Sequence, residues 1–253
     1  MIPRISAISY PTMNPPSQEE ESARQAYVRS LFDGIAHRYD LLNHLLSSGF
    51  DILWRKQAIR MLRRFEPKEL LDLATGTADF AIAAAKMPGA KITGVDISNE
   101  MLRLGKAKIH RLGLDGRINL ERGTAESLAF NDCSFDAVTV AFGVRNFADI
   151  HQGLREMYRV LRPNGVVLIL EFSKPRIFPF NVMYGFYFNR ILPLVGGFVS
   201  RNRESYEYLP QSVSRFPDNS EFLGILRSAG FSGAEYHRLT LGIVTIYLGT
   251  KKI

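Results

Sequence analysis

Residues 69–79, which read E-L-L-D-L-A-T-G-T-A-D, decide the fold of this chain. The largely apolar run over residues 70–74 suits a strand that is buried on both faces of a parallel sheet. It ends in a tight turn at Gly76, and the helix formers of residues 80–86 predict a helix that starts near Ala78. A strand, a glycine turn and a helix together present backbone N–H groups to a ligand. This stretch therefore predicts an α/β protein with a nucleoside-binding turn.

The residues around the turn indicate which nucleoside it binds. A second predicted strand over residues 91–95 ends on Asp96, about 20 residues past the turn, where an acidic side chain can bind ribose hydroxyls. A dinucleotide-binding turn uses three glycines, whereas this turn keeps only Gly76. Asp72 would repel a pyrophosphate and attract a cation. We therefore favour S-adenosylmethionine, which carries a sulfonium, an ammonium and no phosphate, over NAD.

Strands and helices alternate along the chain beyond this stretch. Predicted helices cover residues 99–112, 149–161 and 220–229, and predicted strands cover residues 117–122, 135–141, 166–172, 234–240 and 243–249. Alternation indicates a parallel sheet with helices on both faces, whose ligands bind at the carboxyl ends of the strands. The two-residue connection Leu241-Gly242 suits a hairpin, so the last strand should run antiparallel. We expect the Rossmann-like, seven-stranded sheet of class I methyltransferases.

The remaining segments are expected to form one domain with this sheet, over residues 17–253. Residues 1–16 contain four prolines and are predicted to be a flexible leader, and residues 17–68 are predicted to be helical with a break near Gly49. Residues 174–208 interrupt the alternation and are rich in aromatic and arginine side chains. They suit a lid over an apolar substrate or a cover for the sheet.

The predicted helix over residues 51–65 is amphipathic. Its apolar face comprises Trp54, Ala58, Met61, Leu62 and Phe65, and its basic face comprises Lys56, Arg60, Arg63 and Arg64. A basic face of this kind is either solvated or in contact with anionic lipid.

Composition narrows the partners and the compartment. A net charge of +7 and a pI of about 9.6 favour an anionic partner, either a nucleic acid or a membrane surface. The single Cys133 excludes an internal disulfide, and no Cys/His cluster has metal-ligand spacing, so we expect a cytoplasmic protein without a metal. No run reaches the ~20 apolar residues that span a bilayer.

Three further motifs are more specific than a lone glycine turn. They are Tyr39-Asp40-Leu41-Leu42-Asn43 with Leu46-Ser47 and Trp54, then Phe142-Gly143-Val144-Arg145-Asn146, and finally Arg159-Val160-Leu161-Arg162-Pro163-Asn164-Gly165 with Glu171-Phe172-Ser173. With them, nearly the whole chain after residue 20 resembles the C-methyltransferases of quinone biosynthesis. That bacterial family acts on demethylmenaquinol and on polyprenyl methoxy-benzoquinol.

The resemblance also identifies candidate cofactor contacts. It implies contacts at Thr77, Asp96, Thr124, Ala125 and Ala141, beside Asp72 and Gly76 of the turn. The chain departs from the family pattern at Thr75 and Ala78, where Gly is frequent, at Leu42 for Met, at Asp51 for His and at Ala141 for Ser. Thr75 and Ala78 add bulk beside the cofactor, and Asp51 and Ala141 weaken the transfer of a role that needs the usual side chain.

The implied reaction transfers a methyl group from S-adenosylmethionine to a ring carbon of a polyprenyl quinol, foremost demethylmenaquinol, which becomes menaquinol. Removal of a quinol proton, with a pKa near the phenolic value of about 10, would put electron density on that carbon. Arg145 is expected to stabilise the phenolate and Asn146 to orient a water or the quinol oxygen. Asp79 and His37 are candidate bases. For Arg145 the alternative is a structural ion pair.

The implied substrate leads to expectations about partners. Because a polyprenyl quinol resides in the bilayer, we expect peripheral contact with an anionic membrane through the aromatic lid. A nucleic-acid-binding protein is an alternative, but the basic residues are dispersed and no base-stacking motif is evident, so we expect no nucleic-acid partner. A methyltransferase of another lipid or small phenol would also fit the sequence, as would a non-catalytic scaffold. A homodimer is compatible with the sequence.

Overall fold

The computed structural model describes residues 17–186, 190, 203–217 and 219–252. The leader predicted over residues 1–16 lies outside the described residues, as do residues 187–189 and 191–202 of the predicted lid.

Helices and strands alternate through the described part of the chain. The helices are α1 (Gln18–Leu46), α2 (Phe50–Leu62), α3 (Asp79–Ala84), α4 (Asn99–Arg111), α5 (Ile150–Val160), α6 (Phe180–Phe186), α7 (Arg203–Arg215) and α8 (Asn219–Ser228). The strands are β1 (Glu69–Leu73), β2 (Lys91–Asp96), β3 (Ile118–Arg122), β4 (Phe135–Ala141), β5 (Leu161–Phe172), β6 (Ser232–Leu239) and β7 (Val244–Thr250). Short 3₁₀ turns cover Arg63–Phe65, Val144–Asn146 and Thr240–Gly242.

The seven strands form one sheet in the order β3-β2-β1-β4-β5-β7-β6. Strands β1 to β5 pair in parallel, and β7 runs antiparallel to both β5 and β6. The predicted Rossmann-like sheet of seven strands with an antiparallel last strand is therefore confirmed. Chain order reverses between β1 and β4, and the carboxyl ends of strands at such a point form a crevice that binds ligands.

Side chains of the central strands alternate between two apolar layers. Leu70 packs with α2, α3 and α4 on one face of the sheet, and its neighbour Leu71 packs with α5 and α8 on the other. Both residues are fully buried, as expected for a strand that is covered on both faces. The sheet is thus the middle of three layers, and its strand ends are the part left to form a site.

The amphipathic pattern of α2 predicts its packing, with one error. Trp54 and Leu62 are buried, and Arg60 and Arg64 are exposed, as predicted. Phe65 was predicted on the buried face and is exposed, so that prediction is wrong. The helix ends at Leu62 and continues as a 3₁₀ turn, whose three residues per turn rotate Phe65 away from the core.

Two strand boundaries also differ from prediction. The predicted two-residue hairpin between β6 and β7 is wrong in length, since the strands are joined by the 3₁₀ turn Thr240–Gly242 and by Ile243. Strand β5 starts at Leu161 rather than at residue 166, directly after α5, with an irregular register against Phe135.

A helix that crosses a bilayer must be about 20 residues long and largely apolar. Among the described residues, no helix meets both requirements.

Candidate functional site

The turn after β1 alternates left-handed and ordinary backbone. Ala74, Gly76 and Ala78 have φ values of 50°, 57° and 67°. Left-handed backbone favours glycine, and an alanine there costs about 1–2 kcal/mol. Thr75 lies between these positions; its N–H donates to the carbonyl of Val95 at 3.1 Å and its hydroxyl to Asp72 at 2.6 Å. The turn is thereby folded onto the end of β2.

A cleft opens at the carboxyl ends of β1 to β4. The space between its walls, counted together with the open solvent at its mouth, is about 710 Å³. The predicted site residues that line it are Gly76, Asp96, Thr124, Ala125, Ala141 and Asn146. Residues from four strand ends thus meet in one place, as the parallel sheet requires.

Asp96 is the acidic side chain in the centre of this cleft. It is buried, and its carboxylate accepts hydrogen bonds from the N–H groups of Gly76 at 2.8 Å and Ser98 at 2.9 Å. Burial raises the pKa of Asp96 to about 6, because desolvation outweighs these hydrogen bonds. At neutral pH the carboxylate is ionised and can accept further hydrogen bonds from ligand hydroxyls.

A second carboxylate that lines the cleft, Glu126, was not predicted as a site residue. Its Oε1 accepts from the N–H of Ala148 at 2.6 Å, and its Oε2 accepts from Gln25 of α1 at 3.3 Å. Burial raises the pKa of Glu126 as well. None of the described residues that line the cleft is Lys, Arg or His, so two carboxylates give the lining a negative charge.

Two predicted contacts do not line the cleft. Asp72 lies beneath it, where it accepts from the hydroxyls of Thr75 at 2.6 Å and Thr139 at 2.7 Å, and burial raises its pKa to about 6. The hydroxyl of Thr77 donates to Asp40 of α1 at 2.5 Å and accepts from Lys108 of α4 at 3.0 Å. Direct cofactor contacts by Asp72 and Thr77 stay predictions.

Helix α1 covers the cleft, which was not predicted. Gln25, Val28, Phe32 and Tyr39 of α1 all line it. Hydrogen bonds from the region after β2 hold the helix in place. The hydroxyl of Ser98 donates to Asp33 at 2.5 Å, and Lys108 of α4 donates to Asp40 at 2.7 Å. Burial raises the pKa of the Tyr39 hydroxyl, so it is protonated and can donate. The signal in the sequence was the motif that contains Tyr39 and Asp40.

Arg145 lies behind the cleft in a buried ion pair. Its Nη1 donates to Oε1 of Glu171 at 2.6 Å and to the carbonyl of Phe142, and its Nε donates to the hydroxyl of Ser212 at 3.3 Å. Burial opposes its charge, but Glu171 together with the Tyr39 and Tyr208 hydroxyls outweighs that effect, so the pKa of Arg145 is raised. Arg145 thus forms an ion pair of the kind expected for a structural role. Its role in the reaction stays a prediction.

Asn146 lines the cleft next to this ion pair. Its side-chain oxygen accepts a hydrogen bond from the hydroxyl of Tyr208 on α7 at 3.0 Å. Tyr208 belongs to the predicted lid, and its ring packs edge-on against Tyr27 of α1, with ring centroids 6.0 Å apart. The described end of the lid therefore contacts the predicted catalytic residue Asn146.

The two candidate bases lie away from the cleft. Asp79 pairs with Lys108 at 2.6 Å and with Arg55 at 3.5 Å. His37 is exposed on the outer side of α1, 4.0 Å from Glu100. Neither side chain lines the cleft, so neither is placed to remove a proton there. Across the described residues, no group of three or more His, Cys, Asp or Glu side chains is arranged to hold a metal ion.

Comparison with known proteins assigns the chain to a family. The profile of the ubiE/COQ5 methyltransferase family matches residues 20–251. A protein of Geotalea daltonii named ubiquinone/menaquinone biosynthesis C-methyltransferase is 46% identical over 88% of this chain and 96% of its own length. A demethylmenaquinone methyltransferase of Porphyromonas gingivalis is 45% identical over 92% of this chain and 96% of its own length.

Solved structures share the fold at lower identity. A SAM-dependent methyltransferase of Thermotoga maritima, described as a possible histamine N-methyltransferase, has a TM-score of 0.65 and 20% identity over 89% of this chain and all of its own. The phosphoethanolamine N-methyltransferase 2 of Haemonchus contortus in complex with S-adenosyl-L-methionine has a TM-score of 0.59 and 18% identity over 78% of this chain and 53% of its own. Sheet topology, site geometry and sequence agree, and the chain belongs to the ubiE/COQ5 methyltransferase family.

Proposed function

We propose that this protein transfers the methyl group of S-adenosylmethionine to a ring carbon of a polyprenyl quinol, with demethylmenaquinol as substrate and menaquinol as product. The observation that carries the proposal is the charge of the cleft, which is lined by Asp96 and Glu126 and by no described basic residue. A positively charged cofactor without phosphate suits such a lining. Relatives that are 40–46% identical to this chain carry names in quinone biosynthesis, which supports the substrate class.

The lining residues fit this cofactor. Asp96 would hold the ribose hydroxyls, because its carboxylate lies at the end of β2 and faces the cleft. Gly76 and Ala141 would let the cofactor approach the backbone, and Thr124 and Ala125 would contact it from the end of β3. S-adenosylmethionine supplies an electrophilic methyl group when it is bound. The protein must then supply alignment and an electron-rich ring carbon.

Asn146 is the residue placed to orient the quinol. Its oxygen is engaged by Tyr208, so its amide N–H groups can donate to a quinol oxygen in the cleft. Arg145, one residue earlier, holds a positive charge behind this position. Glu171 neutralises much of that charge, so the pair acts on a developing phenolate mainly as an oriented dipole. Together they would favour the ionised quinol, whose ring carbon is the nucleophile.

We also propose peripheral contact with an anionic membrane from the cytoplasmic side, since the substrate is lipid-soluble. Around α6, Phe178, Val182 and Phe186 are exposed, which supports contact by the described part of the lid. A homodimer stays a prediction, and light scattering of the purified protein would test it.

The test of the proposed function is methyl transfer by the purified protein. Reduced demethylmenaquinone, a polyprenyl methoxy-benzoquinol and a small phenol would each be incubated with methyl-labelled S-adenosylmethionine. We expect the label on a ring carbon of the naphthoquinol, identified by fragmentation in mass spectrometry. Transfer to the small phenol alone, or label found on an oxygen atom, would overturn the proposal. Accumulation of the demethylated quinone in a host that lacks the protein is the matching result in cells.

A further inference from the structure

An exposed apolar surface lies outside the cleft and draws on three separate segments. It comprises Phe50 and Leu53 of α2, Ile177 and Phe178 of the segment after β5, and Leu241 of the β6–β7 turn, which are 44%, 56%, 55%, 79% and 49% exposed. Single exposed apolar side chains are ordinary, but a group of them on joined segments indicates a binding surface.

Hydrogen bonds and ring contacts join the three segments. The indole N–H of Trp54 donates to the hydroxyl of Thr240 at 2.7 Å, which ties α2 to the β6–β7 turn, and the ring of Phe50 stacks on Trp54. The hydroxyl of Ser173 donates to the carbonyl of Gly242 at 2.8 Å, which ties the same turn to the segment after β5. These contacts bring together the three segments that carry the five apolar side chains.

The turn that carries Leu241 is conformationally costly. Thr240 and Leu241 have φ values of 46° and 57°, the left-handed region that favours glycine. Two such residues in succession cost about 1–2 kcal/mol each. Leu241 does not recover this cost by burial, because half of its surface is exposed. Strain that presents an apolar side chain to solvent is typical of a functional surface.

Exposed basic side chains lie beside this surface. Lys56 follows Leu53 on α2, Lys174 precedes Ile177, and Arg238 adjoins the turn, where its Cδ lies 3.7 Å from the place that a Cβ on Gly242 would take. The nearby acidic residue of α2, Asp51, is buried and paired with Arg55 at 2.7 Å. An apolar surface bordered by cations suits an interface with anionic lipid headgroups.

The surface is connected to the cleft by aromatic rings. The ring of Trp54 lies 6.0 Å from that of Phe142 and 6.2 Å from that of Phe172, and these two rings are 4.7 Å apart. Phe142 lines the cleft beside Asn146. An apolar chain that leaves the cleft here would therefore meet aromatic side chains up to the exposed surface.

We propose that this surface docks the protein on an anionic lipid bilayer, with Leu53, Phe178 and Leu241 inserted at the boundary between headgroups and acyl chains. The role of the aromatic path, to carry a prenyl tail between bilayer and cleft, rests on the proposed function. The docking itself does not, because it follows from the exposed residues and their charge. It shares Ile177 and Phe178 with the described start of the lid and adds α2 and the β6–β7 turn to that contact.

The test compares vesicle binding by the wild type and by the double variant Leu53→Ser/Leu241→Gly. Glycine removes the apolar side chain of Leu241 and relieves its left-handed backbone, so the variant should stay folded. We expect co-sedimentation with phosphatidylcholine vesicles that contain phosphatidylglycerol to weaken at least about tenfold. The matched control is Leu112→Ser, since Leu112 is 52% exposed at the end of α4, near the opposite edge of the sheet, and should have no effect.

A second measurement separates docking from catalysis. Methyl transfer to a short-chain, water-soluble quinol should be unchanged in the double variant, whereas transfer to a long-chain quinol in vesicles should fall with binding. Vesicle binding by the double variant equal to that of the wild type would overturn the docking surface. So would a wild type that binds no vesicles and dimerises through these residues. A wild type that binds vesicles through them but methylates neither quinol would overturn the proposed function alone.

Discussion

The two sides of the cleft are built differently. On the β1–β3 side, the bonds that shape the turn lie within one strand–turn–helix–strand stretch, from Thr75 to Asp72 and from Gly76 to Asp96. Longer-range bonds, such as Thr139 to Asp72 and Thr77 to Asp40, brace this stretch from outside. On the β4–β5 side, the polar contacts join distant elements, since Arg145 pairs with Glu171 and Asn146 with Tyr208. The first side has carboxylates that face the cleft, and the second has a cation already neutralised behind it. The comparison indicates that a continuous motif encodes the cofactor site, whereas folding assembles the substrate site.

The largest effect on stability is expected from a substitution that breaks the ion pair on the β4–β5 side. Glu171→Ala leaves Arg145 buried without its carboxylate and should lower the free energy of unfolding by about 3–5 kcal/mol. The double variant Arg145→Met/Glu171→Leu removes both charges and should recover most of that loss. Urea denaturation of both variants measures the difference.

The double variant also separates structure from chemistry in this pair. If Arg145 acts on the quinol, the double variant binds S-adenosylmethionine with wild-type affinity and transfers no methyl group. Normal turnover in a folded double variant would leave Arg145 with a purely structural role, and the contrast between the two sides would then rest on Asn146 alone.

The next effect concerns the acidic side of the cleft. Asp96→Asn removes an ionised hydrogen-bond acceptor. In calorimetric titration it should weaken the binding of S-adenosylmethionine by about 2 kcal/mol, or roughly thirtyfold. Asp136→Asn is the matched control, because Asp136 also accepts two backbone N–H groups, from Lys68 and Glu69 at 2.9 Å, and does not line the cleft. Equal losses of affinity in both variants would show a general effect on folding instead.

The pH dependence of cofactor binding is the third test. The pKa of Asp96 is raised to about 6 by burial, so in the free protein it contributes stability below the ordinary value near 3.8 and loses it as pH rises to about 6. The cofactor requires the ionised form, so its affinity should be constant above pH 6 and fall up to about tenfold per pH unit below. Asp96→Asn should flatten this profile; an unchanged profile would point to Asp72, whose pKa is also about 6.

The smallest effect tests a residue at the border of the cofactor site. Thr77→Val removes the hydroxyl that bonds to Asp40 and Lys108, and we expect the free energy of unfolding to fall by about 1 kcal/mol. Affinity for S-adenosylmethionine should stay within about twofold, since this hydroxyl faces away from the cleft. A tenfold loss of affinity with unchanged stability would instead support the direct contact that the family resemblance implies.

The fold was predictable where one local rule determined the outcome. Apolar runs alternating with helical periods identified the parallel sheet, and Asp96 followed from its distance past Gly76. The rule failed at Phe65 and at the β6–β7 connection, where 3₁₀ turns replace the expected geometry. The bond from Trp54 to Thr240 braces that connection, and a hydrogen bond between residues 186 positions apart has no local signature.

The site, too, was predictable only where a local sequence motif determined it. The cofactor side came from one motif, but the cover by α1 depends on polar bonds such as Asp33 to Ser98, which only the folded chain brings together. Glu171 carried an unused signal, because a lone acid in the apolar strand V-V-L-I-L-E-F must find a buried partner. That partner is Arg145, and the same reasoning would have identified the ion pair.

We infer that the charge of the cleft selects a cationic nucleoside without phosphate. Calorimetric titration of the purified protein at neutral pH with S-adenosylmethionine and, separately, with NAD tests it most directly. We predict saturable binding of S-adenosylmethionine and at least about a hundredfold weaker binding of NAD, the penalty expected when a pyrophosphate meets two carboxylates without a cation. NAD binding as tight as that of S-adenosylmethionine would overturn selection of the cofactor by charge.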